Sequence, residues 1–370
     1  MYSHRRQNLT CATGTLGGVP RQQILQEPTE GLRANRRQFL KAAAVTSALG
    51  AVMGPASVFS RPNRQLGPFS DWSEPVWLGP VVNSTSNDFH PAISRDELSL
   101  YITSDRPGGV NGENPNAIAE MWVSQREDLD APWEQPLNLG PSINVRGYES
   151  GVPNLTPDGG RFFFGSDRPG GCLGTMKNLW VAEREDLEDD LAWESPVNLG
   201  CAINKSDQDG PAYFRDRERE TTTLYFDRFD GPGGSFENPD QNWNIYVSTL
   251  GEDGAFGPGV FVRELNGPFR NTRPAIRRDG LEMIFTSNRP GGIGPAGKLT
   301  LNLWVSTRAS TFDRWSTPVN LGRFVNSGFG DRGPALSFDG KTLYFASARP
   351  GGLGKSDLWV ATRTKLEREN

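Results

Sequence analysis

Histidine and cysteine are scarce in this chain, two and three residues in 370, and the scarcity narrows its chemistry. His90 is the sole histidine beyond residue 4. Without a second histidine or a matched pair of cysteines, no zinc centre is expected. There is no Gly-x-Ser-x-Gly elbow for a serine hydrolase and no EF-hand spacing. The apolar run from Ala42 to Met53 is too short to span a bilayer as a helix. Net positive charge is also missing from most of the chain. Residues 1–60 hold seven Lys/Arg against two acids, which leaves 32 basic and 42 acidic residues, a net charge of −10, in the remainder. An acidic body of that kind is a poor partner for nucleic acid or an anionic membrane surface.

Glycine and proline, by contrast, are plentiful at 43 and 28 residues. That is too many for a helical protein, and it suits short strands joined by tight turns. With 35% hydrophobic and 10% aromatic residues the chain is rich enough to bury a core, which excludes disorder.

The N-terminal segment reads as a leader. Asn35, Arg36, Arg37, Gln38, Phe39, Leu40 and Lys41 precede the Ala-rich stretch, and small residues follow at Gly54, Pro55 and Ala56. The Arg-Arg-x-Phe-Leu-Lys pattern resembles a twin-arginine (Tat) signal, an address read by a receptor. That resemblance implies export in the folded state to the periplasm or the cell exterior. No cysteine stands near the cleavage zone, so no stable membrane anchor is expected. Residues 1–33 read as a disordered extension, giving domains of 1–60 (extension plus signal) and 61–370.

Self-comparison supplies the architecture. A block of Pro-x-x-Ser/Thr-x-Asp-Gly, an aromatic strand, Ser-x-Arg-Pro-Gly-Gly, Leu-Trp-Val and Trp-x-x-Pro-Val-Asn-Leu-Gly recurs around Pro91, Pro153, Pro211, Pro274 and Pro334. The spacings are 62, 58, 63 and 60 residues. Each block predicts four antiparallel strands, A to D. A and B are joined by turns such as Asp158-Gly159, Asp279-Gly280 and Asp339-Gly340, which tolerate positive φ. Strand C carries Trp122, Trp180, Tyr246, Trp304 and Trp359, and strand D carries Trp133, Trp193, Phe256 and Trp315. Five such units define an all-β, five-bladed β-propeller. The fifth copy ends after strand C, and the missing piece stands at the other end of the domain. Trp72 to Gly79 matches Trp315 to Gly322, so an N-terminal strand is expected to close the last blade and remove the open edges.

The Ser-x-Asp-Gly, aromatic strand and Leu-Trp-Val pattern is similar to the PD40 repeat, the WD40-like unit of TolB-type propellers. The resemblance covers residues 70–363. It implies the fold and leaves function open, since such propellers serve as binding modules, interaction platforms and accessory domains of hydrolases.

Several residues are candidates for a site. Arg106, Arg168, Arg289 and Arg349 each follow their anchor proline by fifteen residues, and a two-residue insertion in the third copy moves the equivalent to Arg228. The B–C loops and the segments entering strand A share one face, which gathers these arginines with Asp88, Glu149, Asp209, Asn271 and Asp331. Together with Arg273 they read as ligand-binding guanidinium forks for carboxylates or sulfates. Alternatively, they are intrablade ion pairs. Recurrence in every blade favours the second reading, because active sites usually break symmetry. His90 breaks it, standing where other copies have Val152, Gly210, Arg273 and Gly333, and is a candidate base or proton donor or an ordinary polar strand residue. Asp88, Glu149 and Asp331 are the accompanying catalytic candidates, with Asp207 and Asp209 beside them. Glycosidases also use five-bladed propellers, and their chemistry needs two carboxylates facing across a cavity. No cofactor is expected, with calcium at two oxygen-rich loops (Glu113, Asn114, Pro115 and Glu237, Asn238, Pro239, Asp240) left as the open alternative. Cys172 and Cys201 fall on one face, and in an oxidising compartment they are expected to pair.

Two functions remain. One is an exported module that binds a protein or glycan through its loop face, and the other is a carbohydrate-active hydrolase or lyase at the channel mouth.

Overall fold

A computed structural model describes residues 68–112, 118–172, 176–230 and 242–366. The leader and both candidate calcium loops lie outside the described residues. Among the described residues, twenty strands form five separate four-stranded antiparallel sheets. After β1 (Val76–Trp77), blade one holds β2 (Asp88–Ile93), β3 (Ser99–Ser104), β4 (Glu120–Gln125) and β5 (Leu137–Asn138). Blade two holds β6 (Ser150–Leu155), β7 (Arg161–Ser166), β8 (Asn178–Glu183) and β9 (Val197–Asn198). Blade three has β10 (Gln208–Asp216), β11 (Thr221–Phe229), β12 (Trp243–Thr249) and β13 (Val260–Phe261). Blade four has β14 (Asn271–Ile276), β15 (Glu282–Ser287), β16 (Asn302–Thr307) and β17 (Val319–Asn320). Blade five has β18 (Asp331–Leu336), β19 (Thr342–Ser347) and β20 (Asp357–Thr362), and β1 completes it through the pairs Val76↔Val360 and Trp77↔Trp359.

The second and third strands of each blade are buried on both faces, because blades pack sheet against sheet. Tyr101, Met121 and Val123 of blade one meet Phe162, Phe164 and Trp193 of blade two. Leu100 and Ile102 close the ring against Tyr344, Ala346 and Leu358. The outermost strands are two residues long and expose Val76, Val197 and Val260, short edges that offer little template for pairing. Four buried asparagines and the half-buried Asn266 replace missing edge contacts. Asn144 accepts the N–H of Met121 and donates to its carbonyl, and Asn83, Asn204, Asn266 and Asn326 treat Leu358, Leu179, Ile245 and Leu303 alike. The Asn83 copy joins the N-terminal segment to the last blade, a second fastener beside β1.

The anchor prolines mark the fold's common irregularity. Each innermost strand slips register across the residue before the proline and the proline itself, as between Phe89 and Ala92. Proline cannot donate to the ladder, so it is placed at a bulge. The residue before it has positive φ in all five blades: His90 48°, Val152 57°, Gly210 58°, Arg273 57° and Gly333 61°. Left-handed backbone is unfavourable for a branched residue such as valine. Latches between blades hold it: Val152 N–H donates to Thr103 Oγ1 (3.0 Å), Arg273 N–H to Asp227 Oδ1 (2.8 Å) and Gly333 N–H to Thr286 Oγ1 (2.9 Å).

Candidate functional site

The repeated arginines are consumed by the blades. Arg106 Nε donates to Ser104 Oγ (2.9 Å), and its Nη2 to Val82 O (2.7 Å) and Asp88 Oδ1 (2.5 Å). Arg349 makes the same set with Ser347, Val325 O and Asp331, and Arg289 with Ser287, Leu265 O and Asn271. Arg168 does so with Ser166, Ile143 O and Ser150. Each also lies over the tryptophan of its strand C, with guanidinium-to-ring distances of 5.1 to 5.6 Å. Burial pulls Arg168 and Arg289 down to about 10, still cationic at neutral pH. Asp88 and Asp331 are fully buried against these arginines and the neighbouring serines, so they do not face the channel mouth. A carboxylate so enclosed holds a loop in place and cannot reach a substrate.

Two positions depart from the register read in the sequence. Ser150 and Gln208, not Glu149 and Asp209, are equivalent to Asp88, because they pair with Ser166 and Arg228 as Asp88 pairs with Ser104. The third hairpin is also four residues longer than the second, not two, since Ser150↔Ser166 corresponds to Gln208↔Arg228. Arg228 therefore occupies the serine position, pairs with Asp230 (3.0 Å) and lies over Tyr246 at 3.6 Å. Gln208 Nε2 donates to Ile203 O and substitutes for the absent arginine.

That shift of one residue turns the side chains of Glu149 and Asp209 away from the repeated arginines and into a charged cluster at the loop-side mouth. Lys177, just ahead of β8, places Nζ 2.6 Å from Glu149 Oε1 and 3.3 Å from Asp209 Oδ2. Burial opposes the Lys177 charge, but Asp209 and Glu149 outweigh it and hold its pKa above the ordinary lysine value. Arg273 extends from blade four to the neighbouring blade three. Its Nη2 lies 3.2 Å from Asp209 Oδ2 and its Nη1 2.9 Å from Asp227 Oδ2, with both carboxylates buried. Two glycines make room for these acids. A Cβ on Gly165 would meet Asp209 Oδ1 at 2.2 Å, and one on Gly210 would meet Asp227 Oδ1 at 2.1 Å.

Arg273 Nε also donates to His90 Nε2 at 3.1 Å. The lone pair is thus on Nε2 and the ring proton on Nδ1, an assignment from the bonding pattern. Burial first, then the Arg273 and Arg332 charges, hold His90 well below the usual histidine range. Its lone pair is engaged by a cation, so His90 is a poor base and a neutral member of the plug.

Two half-buried carboxyls flank this plug. Asp167 Oδ1 accepts the N–H of Glu149 (2.7 Å), and Asp207 Oδ1 accepts the N–H of Lys177 (2.8 Å). Burial raises the pKa of both, and the nearby Glu149 carboxylate adds to it. The mouth therefore combines a carboxylate fixed by Lys177 with carboxyls biased toward the protonated form. Sequence reasoning missed Lys177 and Asp227. Lys177 was detectable, since its equivalents Ala119, Trp243, Leu301 and Ser356 carry no charge, whereas Asp227 was hidden by the misread hairpin length. At the rim, Cys172 and Cys201 form a disulfide with Cα atoms 5.4 Å apart.

Among the described residues no group of three or more His, Cys, Asp and Glu side chains is arranged to hold a metal ion.

No family model matches the chain and no curated protein matches its sequence, so the likeness to the PD40 unit rests on the repeat residues themselves. Solved structures match in fold. A thermostable family-43 glycoside hydrolase superposes with TM-score 0.50 at 13% identity, covering 80% of this chain and 94% of that one. The catalytic domain of a family-62 α-L-arabinofuranosidase from Coprinopsis cinerea gives TM-score 0.51 at 11% identity, covering 81% and 98%. The chain has the five-bladed fold that these glycoside hydrolases have.

Proposed function

We propose that this chain is an exported glycan-acting hydrolase whose site is the loop-side channel mouth. The carrying observation is the cluster of Glu149, Lys177 and Asp207, in which Lys177 has no charged equivalent in the other blades, with Asp167 beside it in a bond that Asp105 and Asn288 repeat elsewhere. Glycoside hydrolysis needs one carboxyl that delivers a proton and one carboxylate that activates water or attacks the sugar. Asp207, with its raised pKa and second oxygen outside the Lys177 N–H bond, takes the donor role. Glu149, held by Lys177, takes the other. The twin-arginine pattern and the Cys172–Cys201 bridge support an oxidising, exported location.

The sign of the pH dependence follows. A proton donor works only while protonated, so turnover holds below the raised Asp207 pKa and falls as pH rises through it. A panel of aryl glycosides and polysaccharides tests the reading. Asp207→Asn and Glu149→Gln should each lower kcat by about 10²-fold or more with the fold retained. Unchanged turnover in both variants would refute the assignment. The plugged channel favours a second reading, a PD40-like module that binds a glycan without cleaving it. In that case the panel gives no turnover, while glycan binding is present and weakened by the same substitutions.

A further inference from the structure

The bulges divide the channel, and the half facing the A–B hairpins has the opposite electrostatic character to the acidic mouth. It holds a cavity of about 130 Å³ walled by the five anchor prolines with Ala92, Leu155 and Ile276. Its titratable lining is His90, Arg95, Arg273 and Arg278, with Tyr213, and no Asp or Glu lines it among the described residues. In a domain with a large acidic excess, that segregation is a local feature of the shaft.

The outer end is built for an anion with an apolar body. Arg95 and Arg278, both exposed, lie over the Phe338 ring at 4.6 and 4.3 Å. Asp96 accepts from Ser94 and Asp279 pairs with Arg277, so the nearest acids on those hairpins are engaged elsewhere. Among the described residues neither Arg95 nor Arg278 forms an ion pair, in contrast to Arg273 at the floor, which is held by Asp209 and Asp227. Two guanidinium groups over one aromatic ring can grip a carboxylate in two places while the ring continues the apolar wall. Benzene occupies a cavity of about 150 Å³ in other proteins, which sets the size of body for this shaft, whose wall also carries the polar Asn154, Thr156 and Ser337.

We propose that the hairpin-side shaft is a second ligand site, for a small organic carboxylate whose ring or short branched chain enters between the prolines and whose carboxylate is held by Arg95 and Arg278. The site is independent of the loop-side chemistry. Calorimetric titration of the full chain with benzoate, acetate, benzyl alcohol and sulfate tests it. Benzoate should bind saturably with Kd on the order of 1 mM or tighter. Acetate and benzyl alcohol, each lacking one half of the recognised group, should bind about tenfold more weakly. The double variant Arg95→Glu/Arg278→Glu, changed only at exposed positions, should lose benzoate binding by at least about tenfold, while Asp207→Asn leaves it intact. No benzoate binding, sulfate or acetate binding as tightly as benzoate, or equal affinity after charge reversal would each overturn the proposal.

Discussion

Removing Arg273 strands a buried carboxylate, and the size of the effect follows from the pairs it makes. Its guanidinium lies 2.9 Å from Asp227 and 3.2 Å from Asp209. At an effective dielectric constant of about 20, a contact near 4 Å contributes roughly 4 kcal/mol. Asp209 keeps Lys177 as a partner, whereas Asp227 keeps the backbone N–H of residue 273 and the weaker influence of the Arg270 charge. In Arg273→Met, Asp227 therefore takes up a proton. Doing so at pH 7 from an unfolded-state pKa near 3.9 costs about 4 kcal/mol at 1.36 kcal/mol per unit, which caps the penalty. We expect a loss of about 3 to 4 kcal/mol at pH 7, in line with breaking a buried pair.

The sign of its pH dependence is fixed. Burial already raises the Asp227 pKa in the native protein, and losing Arg273 raises it further. A carboxyl with folded pKa above its unfolded value favours folding in acid and loses that contribution as pH rises through the folded pKa. The deficit of the variant should thus shrink by about 1.4 kcal/mol per pH unit below neutrality. Urea unfolding from pH 5 to 8 measures it, and Asp227→Asn in the Arg273→Met background should recover part of the loss. A deficit under about 1 kcal/mol at pH 7, or one that does not vary with pH, would refute the reasoning.

The blade arginines give a contrasting outcome. Arg349→Met should lower stability by about 3 kcal/mol by leaving Asp331 buried without its cation, yet leave glycan and benzoate binding unchanged, as seen by parallel unfolding and titration. Reduction of Cys172–Cys201, whose residues are 29 apart in sequence, should cost about 3 kcal/mol. Mass spectrometry of the oxidised protein should find neither residue alkylated, and two free thiols there would contradict the pairing.

The repeat itself carried most of the architecture. Aromatic runs, Asp-Gly turns and a strand D displaced to Trp72–Gly79 prescribe five blades and their closure, and the aromatic runs of the second and fifth copies form β7 and β19. These signals are local and repeated five times, so an error in one copy is corrected by the others. The candidate site had no such protection. In a strand, a slip of one residue turns a side chain to the opposite face. The sequence register sets Glu149 and Asp209 level with Asp88, whereas Ser150 and Gln208 hold that position, and it sets Arg228 among the ring arginines though it stands on the serine position. Hairpin length and the bulge at each anchor proline settle those faces, and both are set by pairing between strands rather than by composition. Likewise only the tertiary structure could bring Lys177, Asp209, Asp227, Arg273 and His90 together, because they come from four blades and meet only when the ring is closed. What the sequence by itself determined was the repeating frame. What the closed ring decided was which charges face each other across its centre, since that depends on distances between residues up to 183 positions apart.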